Sequence, residues 1–291
     1  LAAAPILLRV IIFGLFILAC FFALWVGGMQ VPLPSQGLMP PGVRDFHAQI
    51  DGLARGAPVL FAVDYEPGFS GELETTAVAA LSHLARKGTL VTFVSTTYNG
   101  PALAQRLLRA VNQRAEFLQA PFSNVRNMGY IPGGVAGLAA FARTPDAVLP
   151  YDLNDSYLWS AAPFDRARGL KNFAMVVVLT HDADTARAWV EQVGPALGDI
   201  PLQLAVSAQA EPLVQPYYAG IPRQVSGLVG GLAGGVAYET LEGHGQLAVH
   251  SWDAFSISLT IAVILILVGG FLGVGSVTLS QYKQAKAGGR A

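Results

Sequence analysis

The apolar positions are concentrated in two long runs near the ends of the chain. Residues 5–28 read PILLRVIIFGLFILACFFALWVGG and carry a single charge, and residues 254–279 carry none. About 20 apolar residues in an α-helix span the hydrocarbon core of a bilayer. The pattern therefore predicts two transmembrane helices, over residues 1–28 and 251–280, with the lipid bilayer as a partner.

Charges beyond the second run predict the orientation. Lys283, Lys286 and Arg290 lie in a basic tail, residues 281–291. Lysine and arginine favour the cytoplasmic side of a membrane. We therefore expect a two-pass protein of the bacterial cytoplasmic membrane, with both termini cytoplasmic and the middle of the chain outside the cytoplasm. A cleaved signal peptide is the alternative for the first run, but its apolar stretch is longer than such a segment needs.

The second run also contains Gly269 and Gly273, which lie four residues apart. Small residues at this spacing share one helical face and allow two helices to approach closely. They predict packing against the first run, against another membrane-protein subunit or against a second copy of the chain. The alternative is that glycine is simply frequent in membrane helices.

Between the two runs, short apolar segments alternate with amphipathic ones. Apolar strands that alternate with helices indicate a parallel sheet covered on both faces. We predict a Rossmann-like three-layer α/β domain over residues 45–250, with a mainly parallel sheet of five or six strands. Residues 29–44, rich in proline and glycine, predict an extended stalk, and residues 144–171 an excursion over one sheet edge or the mouth of the domain. The predicted strand–helix pairs cover residues 57–88, 89–114, 125–143, 172–193, 200–220 and 223–243.

Composition and charge limit the possible classes of function. The 291 residues are 53% hydrophobic and 13% charged, with a net charge of −1. Because a nucleic-acid-binding protein needs a basic patch, no nucleic-acid partner is expected. Cys20 is the one cysteine in the sequence, which excludes an internal disulfide and a cysteine-based metal site.

Polar and small residues follow the predicted strands. In open α/β sheets, ligands bind beyond the carboxyl ends of the strands. The segments at those ends are DYEPGFSGE, STTYNG, GYIPGG, THDAD and SAQAEP. They predict a cleft whose candidate lining residues are Asp64, Glu66, Ser95, Thr96, Gly133, Gly134, Ser207 and Gln209.

One of these segments resembles a catalytic turn. The sequence GFSGE matches the nucleophile elbow G-x-S-x-G except at its last position, Glu72. Ser70 could form a catalytic triad with His181 and Asp182. The alternative is that Ser70 and Asp182 cap helices and that His181 is a loop residue.

The sequence contains only weak indications of a metal site or a cofactor site. His181, Asp182 and Asp184 match no zinc or calcium pattern, so no metal site is expected. The turn PGGVAG is neither a Walker A motif nor G-x-G-x-x-G, so no cofactor is expected. Close packing of small residues is the alternative explanation of that turn.

The chain resembles a group of bacterial membrane proteins in which two transmembrane helices flank a Rossmann-like extracytoplasmic domain. The stretches DYEPGFSGEL, GYIPGGVAGL, VVVLTHDADTARAWVEQ and LAVSAQAEPLVQPYY carry the resemblance, which concerns architecture and assigns no catalytic residue. We expect a non-enzymatic docking or structural subunit of a larger membrane assembly. The alternative is a membrane-tethered hydrolase or ligand-binding sensor that uses the cleft.

Overall fold

The computed structural model describes residues 10–18, 21–22, 39–157, 159, 169–243 and 251–270. The chain divides into an α/β unit, Pro32–Ala248, and a terminal unit, Leu1–Val31 with Val249–Ala291.

The described part of the α/β unit contains a six-stranded parallel sheet, which confirms the predicted α/β class. The strands follow the order β3-β2-β1-β4-β5-β6, and every neighbouring pair is parallel. The chain runs outward from β1 to β3 and then crosses to β4 on the other side of β1. This reversal places a crevice beyond the carboxyl ends of β1 and β4, as in the Rossmann arrangement. The strands are β1 Pro58–Asp64, β2 Leu90–Ser95, β3 Val125–Tyr130, β4 Met175–Thr180, β5 Leu202–Val206 and β6 Gly227–Gly230.

Helices cover both faces of this sheet because successive side chains of a strand point to opposite faces. Phe61 of β1 packs with one layer of buried residues, and its neighbours Leu60 and Ala62 pack with the other. Both faces are apolar, as a doubly covered parallel sheet requires. The helices are α1 Pro41–Asp51, α2 Ser70–Arg86, α3 Gly100–Asn112, α4 Gly134–Arg143, α5 Pro145–Val148, α6 Ala183–Ala188, α7 Gly194–Leu197, α8 Glu211–Ala219 and α9 Gly231–Glu242. Single turns cover Pro67–Phe69, Ala115–Phe117 and Leu170–Asn172, and a π-helical turn covers Trp189–Val193.

Two predicted irregular segments are placed by the structure. Helix α1 begins at Pro41, so the last residues of the predicted stalk are helical. Proline suits the first position of a helix because its φ is already fixed. Of the predicted excursion 144–171, the described segment around Leu153 lies at the β3 edge of the sheet, where the amide N–H of Leu153 donates to the carbonyl oxygen of Asn127 at 2.8 Å; residues 158 and 160–168 lie outside the described residues.

In the terminal unit, residues 10–18 and 21–22 are helical, and a second helix covers Ser251–Gly270. Among the described residues, Ser251–Gly270 is the one helix whose length and apolar composition would suffice to cross a membrane, with a mean hydropathy of 2.1. The remainder of the predicted first span lies outside the described residues. The two-span arrangement and its orientation stay predictions.

Candidate functional site

Asp64 is a buried acidic residue at the carboxyl edge of the sheet, and its carboxylate accepts hydrogen bonds from three other residues. It ends β1, directly at the crevice, and it is buried. Its Oδ1 accepts from the Ser95 hydroxyl at 2.8 Å and from the Thr96 N–H at 2.6 Å. Its Oδ2 accepts from the indole N–H of Trp189 at 2.7 Å. Both carboxylate oxygens are therefore engaged by the protein itself, and burial raises the pKa of the Asp64 carboxyl.

A cavity of about 210 Å³ lies next to this network. It brings together Thr96, Gly134 and Asp182, three of the residues predicted for the cleft or for catalysis. Ligand pockets commonly enclose about 300–1,000 Å³, so this cavity is smaller than a typical ligand site. Its other lining residues are Thr97, Val135, Leu138, Asp184, Thr185 and Ala188.

Asp182 caps helix α6. Its Oδ2 accepts from both the N–H and the hydroxyl of Thr185 at 2.8 Å. Burial by itself would raise the pKa of Asp182, but the hydrogen bonds from Thr185 outweigh burial and lower it. The carboxylate is therefore ionised and caps the helix, the role that the sequence offered as the alternative to a catalytic one.

The described geometry does not join Ser70, His181 and Asp182 into a hydrogen-bonded relay. The Ser70 hydroxyl donates to the carbonyl oxygen of Pro67 at 2.6 Å. The His181 ring stacks on Phe69 with ring centroids 4.3 Å apart. Its Nδ1 is buried and has no hydrogen-bond partner among the described residues. A nucleophile needs its base within hydrogen-bond reach. Here the Ser70 hydroxyl bonds to its own turn, the His181 ring packs on Phe69, and the Asp182 carboxylate bonds to its own helix.

The glycine-rich turn before α4 is explained by its backbone. Gly133, the residue that caps α4, has a φ of 93°, a left-handed conformation that glycine adopts without a steric penalty. Gly134 has a φ of 57° and lines the cavity. The turn therefore satisfies a conformational requirement of the chain whether or not an anion binds there.

The remaining predicted cleft residues serve local roles or face solvent. The Ser207 hydroxyl donates to the carbonyl oxygen of His181 at 2.7 Å and so joins the ends of β5 and β4. Glu66 and Gln209 are exposed. Gly269 lies in the helix Ser251–Gly270, and no described atom lies within 4 Å of the position its Cβ would take. Gly273 lies outside the described residues.

Comparison of the chain with protein-family models, curated proteins and solved structures gives no match.

Sequence reasoning missed Trp189 as the partner of Asp64. The two residues are 125 positions apart, and no local spacing rule connects them. A weak signal was present: buried tryptophan usually pairs its indole N–H with an acceptor, and Asp64 ends a strand of otherwise apolar residues.

Proposed function

We propose that this chain is a non-enzymatic, membrane-anchored subunit whose α/β unit docks on the extra-membrane part of another membrane protein. The observation that carries the proposal is a set of exposed aromatic and apolar side chains at the β3 edge of the sheet and in the loop between β2 and α3. We call this set the β3-edge surface. It consists of Tyr98, Tyr130, Tyr151, Leu153 and Tyr157.

These side chains are large and well exposed: Tyr98 is 82%, Tyr151 54% and Leu153 55% accessible to solvent. Scattered apolar side chains are normal on a protein surface, whereas clustered ones mark interaction sites. Tyrosine in particular is enriched in protein–protein interfaces because it contributes a large, rigid contact area. A surface that is mostly tyrosine therefore fits a protein partner.

The loop that carries part of the β3-edge surface is held in place. Tyr151 and Tyr157 form an antiparallel bridge, and their rings meet edge to face with centroids 5.8 Å apart. The Asp152 carboxylate accepts from the N–H groups of Asn154 and Ser156 at 2.8 and 3.0 Å. A rigid binding surface loses less conformational entropy on association. The loop is thus ordered before any partner arrives.

Few charges lie at this edge. The Arg126 guanidinium lies 3.6 Å from the Asp152 carboxylate, and Asp155 is an exposed acid in the same loop. The partner we propose therefore presents a mainly apolar face that is not strongly charged. Attachment to the bilayer through Ser251–Gly270 would keep such a surface close to other membrane proteins, because 20 helical residues extend about 30 Å.

The proposal predicts that substitutions in the β3-edge surface release a fixed partner. The test compares full-length wild type with the triple variant Tyr98→Ser, Tyr151→Ser, Leu153→Ser, each extracted from native membranes in mild detergent. Wild type should purify with a partner in constant proportion, and the variant should lose at least about 90% of it. Three large apolar contacts at an interface centre together contribute several kcal/mol, since single residues there reach 2 kcal/mol or more.

The matched control changes three exposed apolar residues elsewhere, Leu118→Ser, Leu213→Ser and Ile221→Ser. This variant should keep the partner, and both variants should melt near the wild-type temperature. Wild type that purifies alone, or partner loss in the control variant as well, would contradict the proposal.

A ligand sensor or hydrolase at the crevice is the second candidate. The cavity beside Thr96 and Asp182, together with the unpartnered Nδ1 of His181, favours it. Covalent labelling by a fluorophosphonate probe separates the docking proposal from the hydrolase form of this second candidate. If the docking proposal is correct, the probe should not label Ser70, because the Ser70 hydroxyl is bound to its own turn. Any labelling of wild type should therefore be the same in Ser70→Ala.

A further inference from the structure

Three helices of the α/β unit bring two histidines and a glutamate together, away from the crevice. His47 comes from α1, His83 from α2, and Glu242 is the last residue of α9. His47 Nε2 lies 2.7 Å from Oε1 of Glu242, and His83 Nδ1 lies 2.9 Å from the same oxygen. The side chains of His83 and Glu242 are each only 6% exposed, and that of His47 is 24% exposed.

We propose that His47, His83 and Glu242 form a binding site for a divalent transition-metal ion of the zinc type. One nitrogen of each imidazole and one carboxylate oxygen converge, with all candidate ligand atoms within 4.8 Å of one another. Two imidazoles and a carboxylate are a donor set that zinc accepts. No metal site was expected from the sequence, since the three residues lie on three separate helices and share no spacing pattern.

The candidate ligand atoms lie at hydrogen-bond distances, shorter than the separations a metal would impose. Tetrahedral ligation at 2.0–2.1 Å separates ligand atoms by about 3.3 Å. The observed nitrogen–oxygen distances are 2.7 and 2.9 Å, so small side-chain rotations open the site. Three protein ligands leave a fourth position, and the Tyr238 hydroxyl lies 2.9 Å from Nδ1 of His83 beside it.

Neighbouring charged groups orient two of the ligands. Arg86 pairs with Oε2 of Glu242, which fixes the carboxylate and directs Oε1 toward the imidazoles. The other ring nitrogen of His83, Nε2, lies 3.8 Å from the Asp51 carboxylate. A carboxylate near the second nitrogen of a metal-binding histidine is a common supporting contact. The positive charges of Arg86 and of Lys87, whose Nζ lies 3.4 Å from the Asp51 carboxylate, oppose a cation, and the carboxylates of Glu242 and Asp51 offset them.

A bound ion would link the first and last helices of the α/β unit among the described residues. Helix α1 begins the described part of this unit, and α9 ends it before the chain continues toward Ser251–Gly270. The ion would then stabilise the folded unit, because a ligand that binds the folded form alone raises its stability. This inference does not depend on the proposed docking function.

The test titrates zinc into full-length protein that has been stripped with a chelator and is held in detergent, followed by calorimetry. We expect one zinc ion per chain, with an affinity that falls at least about 100-fold in Glu242→Gln and in His83→Gln. The matched control, His181→Gln, changes a histidine outside the cluster and should bind like wild type. Zinc should also raise the melting temperature of wild type and of the control, but not of the two cluster variants.

A second measurement needs only the wild-type protein and is informative even if the cluster variants do not fold. Co²⁺ added to stripped wild type should give the intense visible absorption of a four-coordinate ion, and zinc should abolish it. Failure of wild type to bind either ion in a one-to-one ratio would overturn the proposal. An equal loss of affinity in His181→Gln would overturn it too.

Discussion

Replacing Asp64 with alanine is expected to lower the free energy of unfolding by about 3–5 kcal/mol. The substitution removes the acceptor of the buried Thr96 N–H and of the Trp189 indole N–H, and each unsatisfied buried donor costs about 1–3 kcal/mol. The truncated side chain also leaves a small cavity. Burial raises the pKa of Asp64, so keeping the carboxylate charged in the folded protein itself costs free energy. Alanine removes that cost, and the net loss of stability is therefore smaller than the sum of the two penalties above.

Denaturant unfolding of the full-length protein in mild detergent measures this difference. The control, Asp184→Ala, removes an aspartate that lines the neighbouring cavity and whose side chain is 82% exposed. That variant should stay within about 0.5 kcal/mol of wild type. If Asp64→Ala were as stable as wild type, the network would not stabilise the fold, and Asp64 would again be a candidate for ligand chemistry.

Gly100→Ala is expected to destabilise the protein by about 3 kcal/mol or more. Gly100 begins α3 and lies against the end of β2. An added Cβ would lie 1.8 Å from the Ser95 hydroxyl oxygen and 2.4 Å from the carbonyl oxygen of Val63. Overpacking a close contact typically costs about 1–3 kcal/mol, and relief here would also move Ser95 away from Asp64.

The matched control for this glycine is Gly71→Ala, because Gly71 lies in the first turn of the neighbouring helix α2. No described atom lies within 4 Å of the position of its Cβ. Alanine there should be neutral or stabilise the helix by up to about 1 kcal/mol. Thermal melts of both variants measure the contrast. Equal melting temperatures would show that the close approach at Gly100 is not a constraint.

The α/β class could be predicted because it depends on local patterns. The residues of β1 and β4 form short apolar runs, each followed by a helix with an acidic or capping residue in its first turn. Such runs indicate buried parallel strands whatever their neighbours are. Asp182 was correctly considered as a cap for the same reason, since capping involves residues only three positions apart.

The site was only partly predictable because its contacts join distant parts of the chain. Sequence reasoning placed Asp64, Ser95 and Thr96 at one end of the sheet, but it could not show that they bind one another or Trp189. It could not show that the Ser70 hydroxyl turns back to Pro67 either. Each of these contacts depends on the direction in which a side chain points, and the spacing of residues along the sequence does not specify that direction.

The β3-edge surface was missed for a related reason. Tyr98 and Tyr151 each lie in an irregular segment where no period separates buried from exposed positions. Tyr98 follows β2, and Leu153 of the Tyr151 loop bonds to β3. The strand order places these two strands side by side at one edge of the sheet. Strand order is set by long-range packing, so the surface became visible only in the folded structure.

Site-specific photocrosslinking in intact cells tests the docking proposal most directly. A photoreactive phenylalanine analogue replaces Tyr151 in the β3-edge surface and, in a separate control, the exposed Leu213 of α8. We expect one discrete adduct with a different membrane protein from position 151 and none from position 213. No adduct from position 151, an adduct between two copies of this chain, or the same products from both positions would contradict it.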